Sequence, residues 1–188
     1  MKLKKQNNAY VQAINLNIPF AARQAIARIL EEEKGYVNRK NDRGGETKFG
    51  ITKRWYPHVD IKNLTPAAAA DIYYADYWCF NKCHCLPEML TLTFFDCCVN
   101  QGGDFARKTL QRLLKVKADG IIGDKTIAAA HAQCDMIFVT SFTRLRCQAY
   151  CNLAQADSSQ VTNIEGWIDR ALDILEESQI AVFYGPQE

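Results

Sequence analysis

Residues 20–52 read FAARQAIARILEEEKGYVNRKNDRGGETKFGIT, and this stretch decides the fold. Its first half is a helix. Ala22, Ile26, Ile29 and Leu30 recur at helical spacing from about Phe20 to Glu33. Gly35 then ends the helix, because glycine reaches left-handed backbone angles without steric cost. The second half, 35–51, has no helical period and is rich in turn formers: Asn38, Asn41, Asp42, Gly44 and Gly45. Thr47, Phe49 and Ile51 alternate with Lys48 and Gly50, which predicts a short strand or hairpin arm.

The helical period also sorts the three glutamates. Glu33 continues the apolar stripe of Ile26, Ile29 and Leu30. Glu32 lies four residues after Arg28, placed to pair with it on the outer face, and Glu31 falls off the stripe beside Ala27. One carboxylate is therefore aimed inward or at a cleft, at the unfavourable end of the helix dipole. Both effects favour the protonated carboxyl, the form a general acid needs. Asp42 and Thr47 flank the adjacent glycines Gly44 and Gly45. They could hold a water against a substrate. Equally, the Asp could cap its own turn and the Thr could fill a strand.

Outward from this stretch the chain reads as mainly helical. A short helix is expected around Asn8–Asn15. Thr65-Pro66 is a helix start, with a capping hydroxyl and Pro at the first helical position, and that helix should reach about Trp78. Further helices are expected at 88–100, 104–115, 124–133, 135–154 and 163–178, with Asp104 and Asp124 as N-caps and Asn163 preceding the last.

Composition limits the function. The 188 residues hold 23 Lys+Arg against 21 Asp+Glu, a formal charge of +2, so binding of nucleic acid by bulk charge is not expected. No run approaches the roughly 18 apolar residues of a membrane span. The basic start Met1–Lys5 is followed by Gln6-Asn7-Asn8 and no apolar core, so no signal peptide is expected and synthesis in the cytoplasm is. Eight cysteines then default to free thiols. Cys79, Cys83, His84 and Cys85 crowd one loop without the second ligand pair of a zinc site, and Cys147 and Cys151 share a helix face. Neither a metal nor another cofactor is expected. His58 and His131 receive no role.

Taken in order, Glu33-Lys34-Gly35-Tyr36 and Asp42-Arg43-Gly44-Gly45-Glu46-Thr47-Lys48-Phe49-Gly50-Ile51-Thr52 resemble the signature of glycoside hydrolase family 108. Lys34 departs from it, standing where the family usually has Gly, and would set a positive charge beside the acid. The resemblance continues through Tyr74, Tyr77 and Trp78, Phe95-Asp96, and Val99-Asn100-Gln101-Gly102. Leu110-Gln111 with Asp119–Thr126 resembles the peptidoglycan-binding region that follows the catalytic part, and Gly166-Trp167 with Arg170 resembles its closing helix.

The resemblance implies a lysozyme-like helical fold, with a small β-hairpin or irregular loop after the catalytic helix. It implies a catalytic part over 1–100 and a helical peptidoglycan-binding part over 101–188. The implied reaction is hydrolysis of the β-1,4 bond between N-acetylmuramic acid and N-acetylglucosamine. Glu33 would be the general acid, and Asp42 and Thr47 would orient the water. Tyr36, Gly45, Tyr77, Trp78 and Asn100 are the expected substrate-binding residues, although core packing is the other reading of each aromatic. The partner is the peptidoglycan glycan strand, met by a monomer without membrane insertion. The family includes phage-type endolysins and members labelled secretion activators, so a prophage origin and release through a holin to the cell wall are expected. A lytic transglycosylase and a non-catalytic peptidoglycan-binding or secretion-assisting protein are the competing readings.

Overall fold

The computed structural model describes residues 9–33, 35–38 and 45–184. The order of elements is α1 (Ala9–Ala13), α2 (Phe20–Glu32), β1 (Tyr36–Val37), β2 (Thr47–Lys48), β3 (Ile51–Thr52), α3 (Pro66–Ile72), α4 (Glu88–Asn100), α5 (Gly103–Leu113), α6 (Asp124–Gln133), α7 (Met136–Ala156) and α8 (Ile164–Tyr184). A π-helical segment, Tyr73–Cys79, follows α3, and 3-10 turns occupy Cys83–Cys85 and Ser158–Asn163. This is the mainly α, lysozyme-like architecture with a small sheet after the second helix. No helix among the described residues is long and apolar enough to cross a membrane.

The chain forms two compact units, 1–78 and 79–188. In the first, α2 buries Ala22, Ile26, Ala27, Ile29 and Leu30 against α1 and α3. Ala22, Ile26, Ile29 and Leu30 are the apolar positions of the expected stripe, and Ala27 beside it is buried as well. The antiparallel sheet has the order β1-β2-β3, with Tyr36 opposite Lys48 and Lys48 opposite Ile51. Thr65 caps α3 as expected, its hydroxyl accepting from the Ala68 N–H at 3.2 Å. The expected continuous helix to Trp78 changes its winding at Tyr73. The wider π turn sets the Tyr73 and Tyr77 rings 5.3 Å apart.

In the second unit α4 is the central helix, packed by α5, α7 and α8. Phe94, Phe95, Phe142, Ala171 and Ile174 fill the interior. Asp96 is buried within it, held by Arg146 of α7 at 2.5 Å and Arg170 of α8 at 2.9 Å. Arg146 is also fully buried and donates to Gln101 and to the Thr93 carbonyl. Paired burial of this kind avoids the several kcal/mol that an isolated buried charge costs.

Two expected caps need correction. Gly102 and Gly123 occupy the N-cap positions of α5 and α6, and Asp104 and Asp124 lie inside the first turns. There the carboxylates still face the positive end of the helix dipole. The reason at α5 is steric. A β-carbon on Gly103 would lie 2.5 Å from Asn81 Oδ1, so the helix starts in a space open only to glycine. Segment 119–122 is a turn clamped by the buried Gln111. Its amide donates to Asp119 and to the Ile121 carbonyl and accepts from the Gly120 N–H.

Candidate active site

Glu33 ends α2. Its backbone N–H still reaches the Ile29 carbonyl at 3.0 Å, but its own angles (φ −89, ψ 37) leave the helix. Gly35 follows at φ +100, the left-handed turn that the sequence predicts. Glu33 is half-buried. Glu32 is turned outward and pairs with Arg28, as the period requires.

The tip of the β2–β3 hairpin rests against Glu33. The two strands are joined by Phe49-Gly50, both at positive φ (51 and 72), the two-residue turn whose twist suits a hairpin. The alternation from Thr47 to Ile51 is thus two strands and a turn rather than one arm. Asn-Gly is the usual signal for such a turn; Phe49 in the left-handed region costs about 1–2 kcal/mol. Three contacts hold it there. The Tyr73 hydroxyl donates to the Phe49 carbonyl at 2.9 Å, and the Phe49 ring meets Tyr10 edge-on at 6.2 Å and Lys48 Nζ at 5.6 Å. Strain of this kind collects at functional sites.

The turn leaves no room at Gly50. A β-carbon there would lie 2.5 Å from the Tyr73 hydroxyl, 3.2 Å from Glu33 Cγ and 3.3 Å from Glu33 Oε2. The Glu33 carboxylate therefore lies on the bare backbone of the hairpin tip. Tyr77 completes this side. Burial raises its hydroxyl above the ordinary phenol range, and the charges of Asp76 and Glu33 add to the effect. Tyr56 is raised further by burial and by its hydrogen bond to Asp76 at 2.9 Å. A half-buried carboxylate therefore sits between a bare glycine backbone and Tyr77.

The other expected site residues fall as follows. Thr47 lies in β2 of the same sheet, half-buried, its hydroxyl 3.4 Å from the Gly45 carbonyl. Gly45 has φ +70. Tyr36 is exposed on β1 and donates to Glu46 at 2.7 Å, which holds its hydroxyl above the ordinary range. Asp42 lies outside the described residues. Trp78 departs from expectation. It is 3% exposed, so its ring serves the core and leaves no face open to a sugar. Asn100 belongs to the second unit, where its carbonyl oxygen accepts from the Tyr150 hydroxyl at 2.6 Å. Sequence reasoning missed the closeness of Gly50 to Glu33; the Phe-Gly pair before Ile51 was the available signal.

None of the eight cysteines, all among the described residues, forms a disulfide, and Cys83, Cys97 and Cys98 are buried. Burial raises the Cys97 and Cys98 thiols far above their ordinary range. Among the described residues, no three His, Cys, Asp or Glu side chains are grouped to hold a metal ion.

A mainly α fold with a carboxylic acid at the end of its second helix, under a hairpin, is the frame of a glycoside hydrolase. The comparisons agree. The family model described as Glycosyl hydrolase 108 matches residues 26–102, and that described as Predicted Peptidoglycan domain matches 105–172. Residues 26–102 thus belong to the glycosyl hydrolase 108 family, and a peptidoglycan-binding part follows them. Among solved structures it is similar to SagA of Brucella abortus, at 27% identity and a TM-score of 0.66, over 82% of this chain and 95% of that one. No curated protein matches its sequence significantly.

Proposed function

We propose that the chain is an N-acetylmuramidase that hydrolyses the β-1,4 bond between N-acetylmuramic acid and N-acetylglucosamine. Glu33 is the general acid. It protonates the leaving glycosidic oxygen as the sugar gains oxocarbenium character. Asp42 and Thr47 orient the attacking water. Tyr36, Gly45 and Tyr77 bind the glycan on the first unit, and Asn100 binds it separately on the second. Residues 1–100 carry the catalysis and 101–188 the grip on peptidoglycan.

One observation carries this reading: the half-buried Glu33 at the end of α2, set against the bare Gly50 backbone and beside Tyr77. A carboxyl in this setting is partly shielded from water by the hairpin backbone and stays partly exposed to a substrate. The test is Glu33→Gln. A lost proton donor should lower hydrolysis of purified peptidoglycan by about 10²–10⁴-fold with the circular dichroism spectrum unchanged. Activity within threefold of the parent would remove Glu33 from the mechanism. Muropeptides ending in 1,6-anhydro groups would instead assign the chain to transglycosylation, in which the sugar's own 6-hydroxyl replaces water.

A further inference from the structure

The second unit holds a pocket of about 380 Å³ lined by Asn100, Gln101, Phe105, Ala149, Tyr150, Leu153 and Trp167. Its size lies within the range of small-molecule sites, about 300–1,000 Å³. We propose that this pocket is a binding subsite for a neutral N-acetylated sugar, with Trp167 as its platform and the Asn100 amide as its donor. The proposal rests on peptidoglycan being the substrate and adds where, and by which part, it is gripped.

Three observations carry it. First, the lining is aromatic and amide-bearing. Trp167 and Tyr150 stack at 5.2 Å and 30°, forming a rigid double ring, with Phe105 and the exposed Leu153 also in the lining. Sugars present apolar C–H faces and polar edges, and such a surface suits both.

Second, the polar groups are part engaged and part free. Gln101 is committed: its amide donates to the Arg146 carbonyl at 3.2 Å and accepts from Arg146 Nε at 3.1 Å. Asn100 is committed only at its oxygen, which accepts from Tyr150. Among the described residues, neither Asn100 Nδ2 nor the Trp167 indole N–H donates to a protein acceptor. Two lining residues therefore keep donor capacity, which an N-acetyl carbonyl or a sugar hydroxyl can take up.

Third, the lining carries no formal charge. The nearby Arg146 is buried and already paired with Asp96. Tyr150 stays protonated, since burial pushes its hydroxyl up to about 12. A stem peptide, with its carboxylates and ammonium groups, would call for charged partners. A neutral N-acetylhexosamine does not.

The test uses the full chain carrying Glu33→Gln, labelled with ¹⁵N and titrated with the N-acetylglucosamine trisaccharide. The Trp167 indole resonance is identified by its loss in Trp167→Phe. It should shift saturably. Leu153→Glu, on the exposed rim, and Asn100→Asp, which keeps the acceptor for Tyr150 and removes the donors, should each weaken binding about tenfold or more. An indole resonance that stays fixed at millimolar trisaccharide overturns the proposal. So does unchanged affinity in both folded variants, or a shift produced by the stem tetrapeptide alone. Hydrolysis retained by Glu33→Gln would sink the catalytic assignment without touching this result, because binding here is read without turnover.

Discussion

Replacing Gly50 by alanine tests whether the hairpin tip fixes Glu33. Gly45 supplies an internal control, because both glycines have nearly the same left-handed angle, φ +70 and +72. Any β-carbon at such an angle costs about 1–2 kcal/mol, so that part is common to both. At Gly45 the added carbon meets only Lys53 Cβ at 3.8 Å, an ordinary contact. At Gly50 it would stand 2.5 Å from the Tyr73 hydroxyl and 3.2 Å from Glu33 Cγ. Tyr73 is 1% exposed and its hydroxyl holds the Phe49 carbonyl, so it yields only by breaking a buried hydrogen bond. That loss adds about 1–3 kcal/mol. Gly50→Ala should therefore cost about 2–5 kcal/mol and Gly45→Ala about 1–2 kcal/mol in urea unfolding. In a Tyr73→Phe background the oxygen that the β-carbon strikes is gone, so the penalty of Gly50→Ala should fall by about 1 kcal/mol or more. Hydrolysis should drop about 10²-fold, the usual consequence of moving a catalytic group by about 1 Å. Equal destabilisation at the two glycines, with strict additivity to Tyr73→Phe, would refute the idea that the tip is wedged against Tyr73 and Glu33.

Two further outcomes follow from the second unit. Arg146→Met removes the guanidinium that holds Asp96 at 2.5 Å and should cost about 3–5 kcal/mol in the same unfolding measurement, because a buried carboxylate loses one of its two partners; a cost below about 1 kcal/mol would show that Arg170 alone suffices. Burial raises Tyr150 from 10.0 to about 12, so the folded chain keeps a proton that the unfolded chain releases. Its contribution, on the order of 2 kcal/mol, is complete below the unfolded value and fades as pH rises from about 10 through about 12. Tyr150→Phe should flatten that part of the alkaline stability curve, and an unchanged slope would count against the assignment.

Much of the helical frame is local in origin and was legible for that reason. Helices at 88–100 and 124–133 begin and end where the pattern places them. The stripe of Ile26, Ile29 and Leu30 is fully buried, and it carries Glu33 to the helix end. The hairpin tip was not legible. Phe49 contradicts its own backbone preference, and its conformation is held by Tyr73, 24 residues away. Trp78 shows the same limit. It follows Tyr77 directly, yet the π-helical winding leaves one half-buried and sends the other into the core. At α5, where Asp104 is the expected cap, the chain enters the helix with Gly103 packed against Asn81, a contact that no local pattern includes.

The buried Asp96 has a consequence for how such chains are inherited. Asp96 lies in the segment matched by the hydrolase family, whereas both arginines that neutralise it lie in the segment matched by the peptidoglycan domain. A recombination event joining unrelated partners between residues 102 and 105 would bury an anion on one side of the seam, or two cations on the other, without its counterpart. Such a hybrid starts with a deficit of several kcal/mol, comparable to a domain's whole stability. The two segments are thus electrostatically matched across the seam. The tail is a poor cassette for grafting onto other enzymes unless α4 goes with it.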